Sequence, residues 1–155
     1  MQITSLCYIE KGNTVLMLYR NKKKNDVNQG KWIGVGGKLE TGETPETCML
    51  REVKEETGLR LLSWRKRGTV DFESESWTER MYLFTAVQFE GELSACDEGE
   101  LRWIQKDKIQ SLSLWEGDRV FLRLLAEDAP YFHLLLKYDG ERLISAMLNG
   151  EALDI

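Results

Sequence analysis

Hydrophobic and polar residues follow one another in short runs along most of this chain, which is typical of strands rather than long helices. Residues 2–9 and 14–20 are predicted to form two strands joined by a tight turn. Residues 15–19 are continuously apolar, which suits a strand covered on both faces. Residues 59–72 and 80–89 are also predicted to be strands, and the second of these carries the stronger signal.

The C-terminal part is predicted to contain a short strand at 101–104, a helix and a hairpin. Asp118 is expected to cap the helix, whose apolar stripe consists of Val120, Phe121, Leu124 and Leu125. Asp139-Gly140 joins residues 131–138 to 141–148 and is a strong short-range hairpin signal. The order of elements predicts an α/β fold with a mixed β-sheet sandwiched between helices.

Another helix is predicted between Thr44 and Gly58. Thr44 can cap its start, Pro45 suits the first helical position, and Glu46 lies in the first turn, where the helix dipole favours an anion. Gly58 is a natural C-terminal stop. Both ends of this helix are therefore predicted from local rules.

This helix has two distinct faces. The apolar sector, which must face a core, consists of Met49, Leu50 and Val53. Glu52, Glu55 and Glu56 share the neighbouring sector, because residues three and four apart lie on one face. Like charges at this spacing cost roughly 0.2–0.5 kcal/mol a pair. Mg²⁺ would offset that cost, because it binds carboxylate oxygens, waters and substrate phosphates.

Residues 34–38, Gly-Val-Gly-Gly-Lys, are expected to form a loop whose bare backbone can approach a ligand or metal ion. Residues 51–57 alone would be an ordinary solvated helix with an Arg51–Glu55 ion pair. The whole segment is far more restricted. A chance match in this chain is on the order of 10⁻⁸ for the nine positions Gly37, Glu43, Arg51, Glu52, Val53, Glu55, Glu56, Gly58 and Leu59.

Composition narrows the class of protein. At 155 residues the chain is expected to be one domain, 1–155, that buries roughly 70% of its unfolded surface. A net charge of −5 argues against a broad nucleic-acid-binding surface. The N-terminus does not resemble a signal peptide, and no apolar run approaches a membrane span in length. Three separated cysteines indicate reduced thiols and a cytoplasmic protein, and a lone His133 argues against a zinc site.

The nine positions resemble the full signature of the Nudix hydrolases, Gly-x5-Glu-x7-Arg-Glu-aliphatic-x-Glu-Glu-x-Gly-aliphatic, with no mismatch. Members of that family cleave a diphosphate linked to another moiety, using Mg²⁺ or Mn²⁺, on an α/β/α sandwich. The resemblance implies the same fold and cofactor here. Gly30-Lys31-Trp32 is similar to the MutT-type branch, which removes oxidised nucleoside triphosphates, and similarity to its Gram-positive bacterial members runs along most of the chain.

The resemblance also implies which residues hold the metal. Glu52, Glu55 and Glu56 would do so, helped by the carbonyl of Gly36 and by an acidic residue before the strand at 101–104. Glu98 is the favoured match for that acidic residue, and the second choice is Glu100.

Catalytic roles follow from the same resemblance. Arg51 would orient a glutamate of the signature, and Glu43 would support the junction between loop and helix. The base is either a glutamate of the signature or Glu98, and the sequence leaves both open.

A nucleoside pocket is implied as well. The first strand lines it in the MutT-type branch, so Tyr8 is a candidate for substrate contact as well as for core packing. In the oxidised-purine hydrolases, a Trp stacks on the base and an acidic residue hydrogen-bonds it. Trp115 and Asp118 match these two residues in position. Lys38 is a candidate phosphate contact. The animal oxidised-purine hydrolases carry an Asn that reads the base where this chain has Ile33. Base selection here must therefore come from other residues or be looser.

The resemblance to the MutT-type branch implies hydrolysis of oxidised purine nucleoside triphosphates such as 8-oxo-dGTP to the monophosphate and pyrophosphate. The expected partner is a small nucleotide, with no membrane and no nucleic-acid polymer, and the protein is expected to be a monomer or homodimer. Two alternatives stay open. One is a Nudix hydrolase of another diphosphate, such as an ordinary dNTP, a nucleotide sugar or a capped RNA end. The other is a nucleotide-sensing module without catalysis.

Overall fold

Strand pairing brings distant segments of this chain together in one mixed sheet. The computed structural model describes residues 1–155 and contains ten strands. Their bounds are β1 Gln2–Lys11, β2 Thr14–Arg20, β3 Trp32–Ile33, β4 Val35–Lys38, β5 Arg60–Glu73, β6 Thr78–Glu90, β7 Gly99–Gln105, β8 Phe132–Asp139, β9 Arg142–Leu148 and β10 Glu151–Leu153. The order is β10-β9-β8-β5-β6-β1-β2-β3, while β4 also pairs with β1 and β7 with β2. Only the β1–β6 and β5–β8 pairs are parallel.

Two helices cover opposite faces of this sheet, α1 at Pro45–Thr57 and α2 at Glu116–Ala126. Alternate residues of β1 point to the two faces, because side chains along a strand alternate. Leu6 and Tyr8 pack in the core under α2, and Cys7 and Ile9 pack in the core under α1. The predicted α/β fold, a mixed sheet between helices, is therefore confirmed. Neither helix is long and apolar enough to span a membrane.

Helix α1 begins and ends as its sequence predicts. The Thr44 side chain accepts a hydrogen bond from the backbone of Thr47, and the Thr47 side chain accepts one from the backbone of Thr44. Pro45 occupies the first turn. Gly58 ends the helix in the left-handed region, with φ of 80°, where glycine carries no steric cost.

Helix α2 differs from the prediction at its start. Its N-cap is Trp115, which makes no side-chain capping bond, and Asp118 is a buried residue of the first turn. The prediction that Asp118 caps the helix is therefore wrong. The helix starts earlier because Glu116 and Gly117 already have partners outside it: Glu116 accepts from Leu143 N–H at 2.9 Å, and Gly117 N–H donates to a tyrosine hydroxyl.

The glycine-rich segment was predicted to be a loop, but residues 35–38 form strand β4. Gly36 pairs with Leu6 and Gly37 with Ser5 across the antiparallel β1–β4 ladder. A Cβ at Gly36 would lie 1.9 Å from the carbonyl oxygen of Ser5, so only glycine allows this close approach. Backbone pairing with a distant strand outweighs the low strand propensity of glycine here.

The remaining elements agree with the predicted pattern, with three additions. The β8–β9 hairpin is present, although β8 continues through Asp139, so the turn residues are Gly140 and Glu141. A 3₁₀ helix at Lys106–Ser111 and the short strands β3 and β10 were not predicted.

Candidate active site

Three glutamates of α1 lie near β4 but differ in exposure. Glu56 is 8% exposed, and its Oε2 accepts a hydrogen bond from the backbone N–H of Gly36 at 3.2 Å. The Glu52 side chain is 16% exposed and lies against Gly37, where an added Cβ would be 2.6 Å from the carboxyl carbon of Glu52. The Glu55 side chain is 59% exposed. Glu52 and Glu56 therefore form the buried part of the site.

Arg51 ties the segment before α1 to two of these carboxylates. Its Nε and Nη2 donate to the two oxygens of Glu43 at 2.8 and 2.9 Å. Its Nη1 donates to Glu52 Oε1 at 2.9 Å and to Glu55 Oε2 at 3.2 Å, and its Nη2 also donates to the carbonyl of Lys38 at 3.1 Å. These bonds from Arg51 lower the pKa of Glu43 to about 2. The predicted Arg51–Glu55 pair is thus present within a larger network.

Glu98 approaches Glu56 from the segment between β6 and β7. Burial, reinforced by the carboxylate of Glu98, holds the pKa of Glu56 well above its usual range. Arg20, at the end of β2, forms an ion pair with Glu98 at 2.9 Å between Nη1 and Oε2. Glu100 instead pairs with Arg102 at the surface. Of the two acidic residues singled out in this segment, Glu98 is the one next to the buried glutamates.

The donor set of this site fits a hard divalent cation. Burial raises the pKa values of Glu52 and Glu56, so a bound cation would favour the ionised forms of both. Carboxylate and carbonyl oxygens are the ligands that Mg²⁺ prefers. The acidic side chains do not form a group of three that could hold a metal ion as they stand, and arginines hold Glu52 and Glu98.

The second set of predicted residues lies on the α2 side of the sheet. Tyr8 is buried in β1, and its hydroxyl group has no hydrogen-bond partner. Asp118 is also buried, and burial, with the nearby charge of Glu79, raises its pKa to about 8 against the opposing charge of Lys31. Asp118 is therefore mainly neutral at neutral pH, and a neutral carboxyl group can both donate and accept a hydrogen bond.

Trp115 separates this region from the polar segment at residues 21–31. Its indole N–H donates to the side-chain oxygen of Asn28 at 2.9 Å. The ammonium group of Lys31 lies 5.3 Å from the centre of the Trp115 ring, and the ring of Tyr138 meets it edge-on at 5.9 Å. Trp115 is thus held from several sides, which is the arrangement needed of a rigid aromatic wall.

Lys38 lies exposed at the end of β4, opposite Thr4 of β1. Thr4 Oγ1 donates to Glu79 Oε2 at 2.7 Å, and burial raises the pKa of Glu79 while the charge of Lys38 opposes that shift. Sequence reasoning missed Glu79, because one acidic residue in an acidic segment carries no distinguishing signal.

The structure thus divides the predicted residues into two groups on either side of β1. One contains Gly36, Glu52, Glu56 and Glu98, with Glu55 and Arg51 at its exposed edge, and the other contains Tyr8, Trp115 and Asp118. Sequence reasoning also missed Arg20 and Asp26, which form a buried ion pair at 2.7 Å. The only local signal for that pair is an arginine ending an apolar strand.

Comparison with known proteins places this chain in a described family. A model of the NUDIX domain matches residues 2–125. The chain is 33% identical over 155 residues to the oxidized purine nucleoside triphosphate hydrolase of Danio rerio, across 99% of this chain and 96% of that protein. It is 27% identical over 158 residues to the uncharacterized Nudix hydrolase YvcI of Bacillus subtilis, across 97% and 96%. The fold matches the crystal structure of the MutT protein from Bacillus halodurans with a TM-score of 0.88 and 25% identity, across 97% of this chain and 99% of that one.

Proposed function

Because this chain belongs to the NUDIX domain family and is a Nudix hydrolase, we propose that it converts oxidised purine nucleoside triphosphates to the monophosphate and pyrophosphate, with 8-oxo-dGTP as the leading substrate. The relative from Danio rerio is named for hydrolysis of oxidized purine nucleoside triphosphates, which supports this substrate class. One observation carries the proposal: buried Glu52 and Glu56 lie on one side of β1, and the neutral carboxyl group of Asp118 lies beside Trp115 on the other.

Hydrolases of this family need a divalent metal ion. We assign Mg²⁺, with Mn²⁺ as a substitute, to Glu52 and Glu56 together with the carbonyl of Gly36, while Glu55 and Glu98 complete the acidic set. When bound, the ion supplies positive charge to the phosphates and makes a coordinated water more acidic.

The protein's own residues position the reacting groups. Arg51 holds Glu52 in place through its 2.9 Å hydrogen bond. Glu98 is assigned as proton acceptor from the attacking water. Arg20 holds its Oε2, Lys23 lies 4.0 Å from its Oε1, and the carboxyl group of Glu56 is its other neighbour. Lys38, exposed at the end of β4, is assigned to the phosphates as a point charge.

Base selection is assigned to the α2 side of the sheet. Trp115 would stack on the purine, and Tyr8, whose hydroxyl is unpartnered, contributes to the floor of the pocket. Asp118 carries its proton at neutral pH and so presents a donor beside an acceptor. Oxidation at C8 gives guanine an N7–H donor beside the O6 acceptor, which matches such a group. Unoxidised guanine offers two acceptors at that edge and matches it less well.

A broader activity on ordinary dNTPs is the second candidate. Ile33, in β3, stands where the animal enzymes carry a base-reading Asn, and its apolar side chain cannot hydrogen-bond a base. A non-catalytic sensor is disfavoured, because it would not need the complete set of signature carboxylates.

We further propose that residues 1–155 form a single Nudix domain that acts on small nucleotides as a monomer or homodimer, without a nucleic-acid polymer as partner. Its place would be the cytoplasm. There it would remove oxidised nucleotides before a polymerase incorporates them, a contribution to DNA repair.

Product analysis tests this proposal. The protein is incubated with 8-oxo-dGTP and Mg²⁺, and the products are separated by ion exchange. We expect the monophosphate and pyrophosphate in equal amounts, a loss of about 10²-fold in kcat for Glu56→Gln, and near-normal turnover for Glu46→Gln, a matched change on the same helix. Release of a nucleoside diphosphate and inorganic phosphate would contradict the proposed reaction.

A further inference from the structure

An unbroken series of polar contacts joins the tryptophan of the proposed nucleoside pocket to the carboxylate beside the proposed metal site. The indole N–H of Trp115 donates to Asn28 Oδ1 at 2.9 Å, and the backbone N–H of Asn28 donates to Asp26 Oδ1 at 3.1 Å. Asp26 Oδ2 accepts from Arg20 Nε at 2.7 Å. Arg20 Nη1 pairs with Glu98 Oε2 at 2.9 Å.

The middle of this series is buried. Arg20 is 8% exposed, and the side chain of Asp26 is 6% exposed. A buried ion pair is costly to break, because the charge left behind has no partner. The planar guanidinium group of Arg20 also fixes the angle between its two acidic partners, since it donates along different edges. Asp26 and Glu98 are therefore held at a set distance from each other.

Backbone contacts hold both ends of residues 21–31. Gly30 N–H donates to the Arg20 carbonyl at 2.8 Å, and Arg20 N–H donates to the Lys31 carbonyl at 3.0 Å. Lys22 N–H donates to the carbonyl of Glu98 at 3.4 Å. This segment thus contacts the Glu98 region through its first residues and Trp115 through Asn28 and Lys31.

We propose that Arg20, Asp26 and Asn28 are positioning residues that couple the seating of a base against Trp115 to the placement of Glu98. A base that fits shifts Trp115 little and leaves the series intact. A base that displaces Trp115 breaks its bond to Asn28 and loosens the support of Glu98. Selectivity between a base that fits and one that does not would then appear in kcat as well as in substrate affinity. The roles of Trp115 and Glu98 in this coupling rest on the proposed function, whereas the coupling itself is a property of the contacts.

Two single variants and their combination test the coupling. Asn28→Ala removes the acceptor for the Trp115 indole, and Asp26→Asn removes the charge that holds Arg20. The control is Gln29→Ala, an exposed polar residue of the same segment whose side chain has no hydrogen bond. Circular dichroism and thermal melting establish that each variant folds. If Asn28→Ala does not fold, Trp115→Phe removes the same hydrogen bond from its other end.

Mn²⁺ affinity, measured by calorimetry on protein without nucleotide, is the first readout. Residues behind a metal ligand typically change metal affinity by about 10–100-fold. We expect about a tenfold loss for Asp26→Asn and a smaller loss for Asn28→Ala, with no change for Gln29→Ala. The double variant should be no worse than Asp26→Asn alone, because both changes interrupt one series. Losses that multiply, or an Asn28→Ala protein that matches Gln29→Ala, would overturn the proposal.

Turnover on 8-oxo-dGTP is the second readout. We expect Asn28→Ala to lower kcat by about tenfold while KM changes much less, since Glu98 acts in the chemical step. A change in KM alone would show that Asn28 serves only binding and would overturn the coupling. If the wild-type protein hydrolyses no oxidised purine nucleotide, the proposed function fails. Mn²⁺ calorimetry still decides the positioning proposal in that case, because it needs no substrate.

Discussion

Asp118 is expected to make the folded protein less stable as pH rises, and Asp118→Asn should remove that effect. Burial, with the nearby charge of Glu79 and against that of Lys31, raises the Asp118 pKa from 3.8 to about 8. Between these values the folded protein keeps a proton that the unfolded chain has already lost. The stability that depends on this proton is complete below the unfolded pKa and is lost as pH rises toward the folded pKa.

The size of the effect follows from the two pKa values of Asp118. Each pH unit between them lowers the free energy of unfolding by about 1.4 kcal/mol. Across the whole interval from 3.8 to about 8, the loss is about 6 kcal/mol. Since small proteins are stable by about 5–15 kcal/mol in total, a loss of this size is readily measured.

Urea unfolding at unit intervals from about pH 5 to about pH 9 provides the assay. The free energy of unfolding of Asp118→Asn minus that of the wild type should increase by about 1.4 kcal/mol per pH unit up to about pH 8 and then level off. Glu56 titrates in both proteins, so its contribution cancels in this difference, whereas Glu79, whose charge acts on Asp118, is part of the effect that the substitution removes. Asp107→Asn, at an exposed position, is the control and should show a constant difference. A constant difference for Asp118→Asn as well would refute the claim that Asp118 is neutral in the fold.

Three further predictions concern the glutamate site. Glu98→Gln should lower kcat by about 10²-fold, the range of a lost general base. Glu100→Gln, at the surface, should leave kcat within about twofold of the wild-type value. Equal losses of kcat in the two variants, measured by steady-state kinetics, would reject Glu98 as the base. Gly37→Ala should also lower kcat by about 10²-fold with a small change in melting temperature, because the new Cβ would lie 2.6 Å from the Glu52 carboxyl carbon; an unchanged kcat would mean that Glu52 can move freely. Arg51→Lys should lower kcat by about tenfold, because lysine cannot reproduce the fork that holds Glu43 and Glu52, and full activity would show that positive charge alone suffices.

Helix α1 shows which part of this fold could be predicted from local rules. Thr44, Pro45 and Gly58 act within one turn of their own positions, so capping rules locate both ends correctly. Asp118 shows the limit of the same rules. Its residue type suits an N-cap. However, Glu116 and Gly117 form hydrogen bonds with β9 and β8, and the helix therefore begins before Asp118.

Contacts between distant segments account for what the sequence did not reveal. Strand β4 is rich in glycine and was predicted to be a loop, because its pairing partner lies about 30 residues away in β1. Glu98 was favoured over Glu100 and lies beside Glu56, yet its partner Arg20 lies in another strand and carries no motif. The carboxylates of α1 and their partner Arg51 could be predicted because their spacing is local, whereas Arg20, which holds Glu98, could not.

The most direct test of the account is the ratio of kcat/KM for 8-oxo-dGTP to that for dGTP, measured with Mg²⁺ by pyrophosphate release. A ratio of about a hundredfold or more corresponds to about 2.7 kcal/mol of differential transition-state binding. We expect that ratio for the wild-type protein and a much smaller one for Trp115→Ala. Equal rates on both nucleotides in the wild-type protein would contradict selection of oxidised purines.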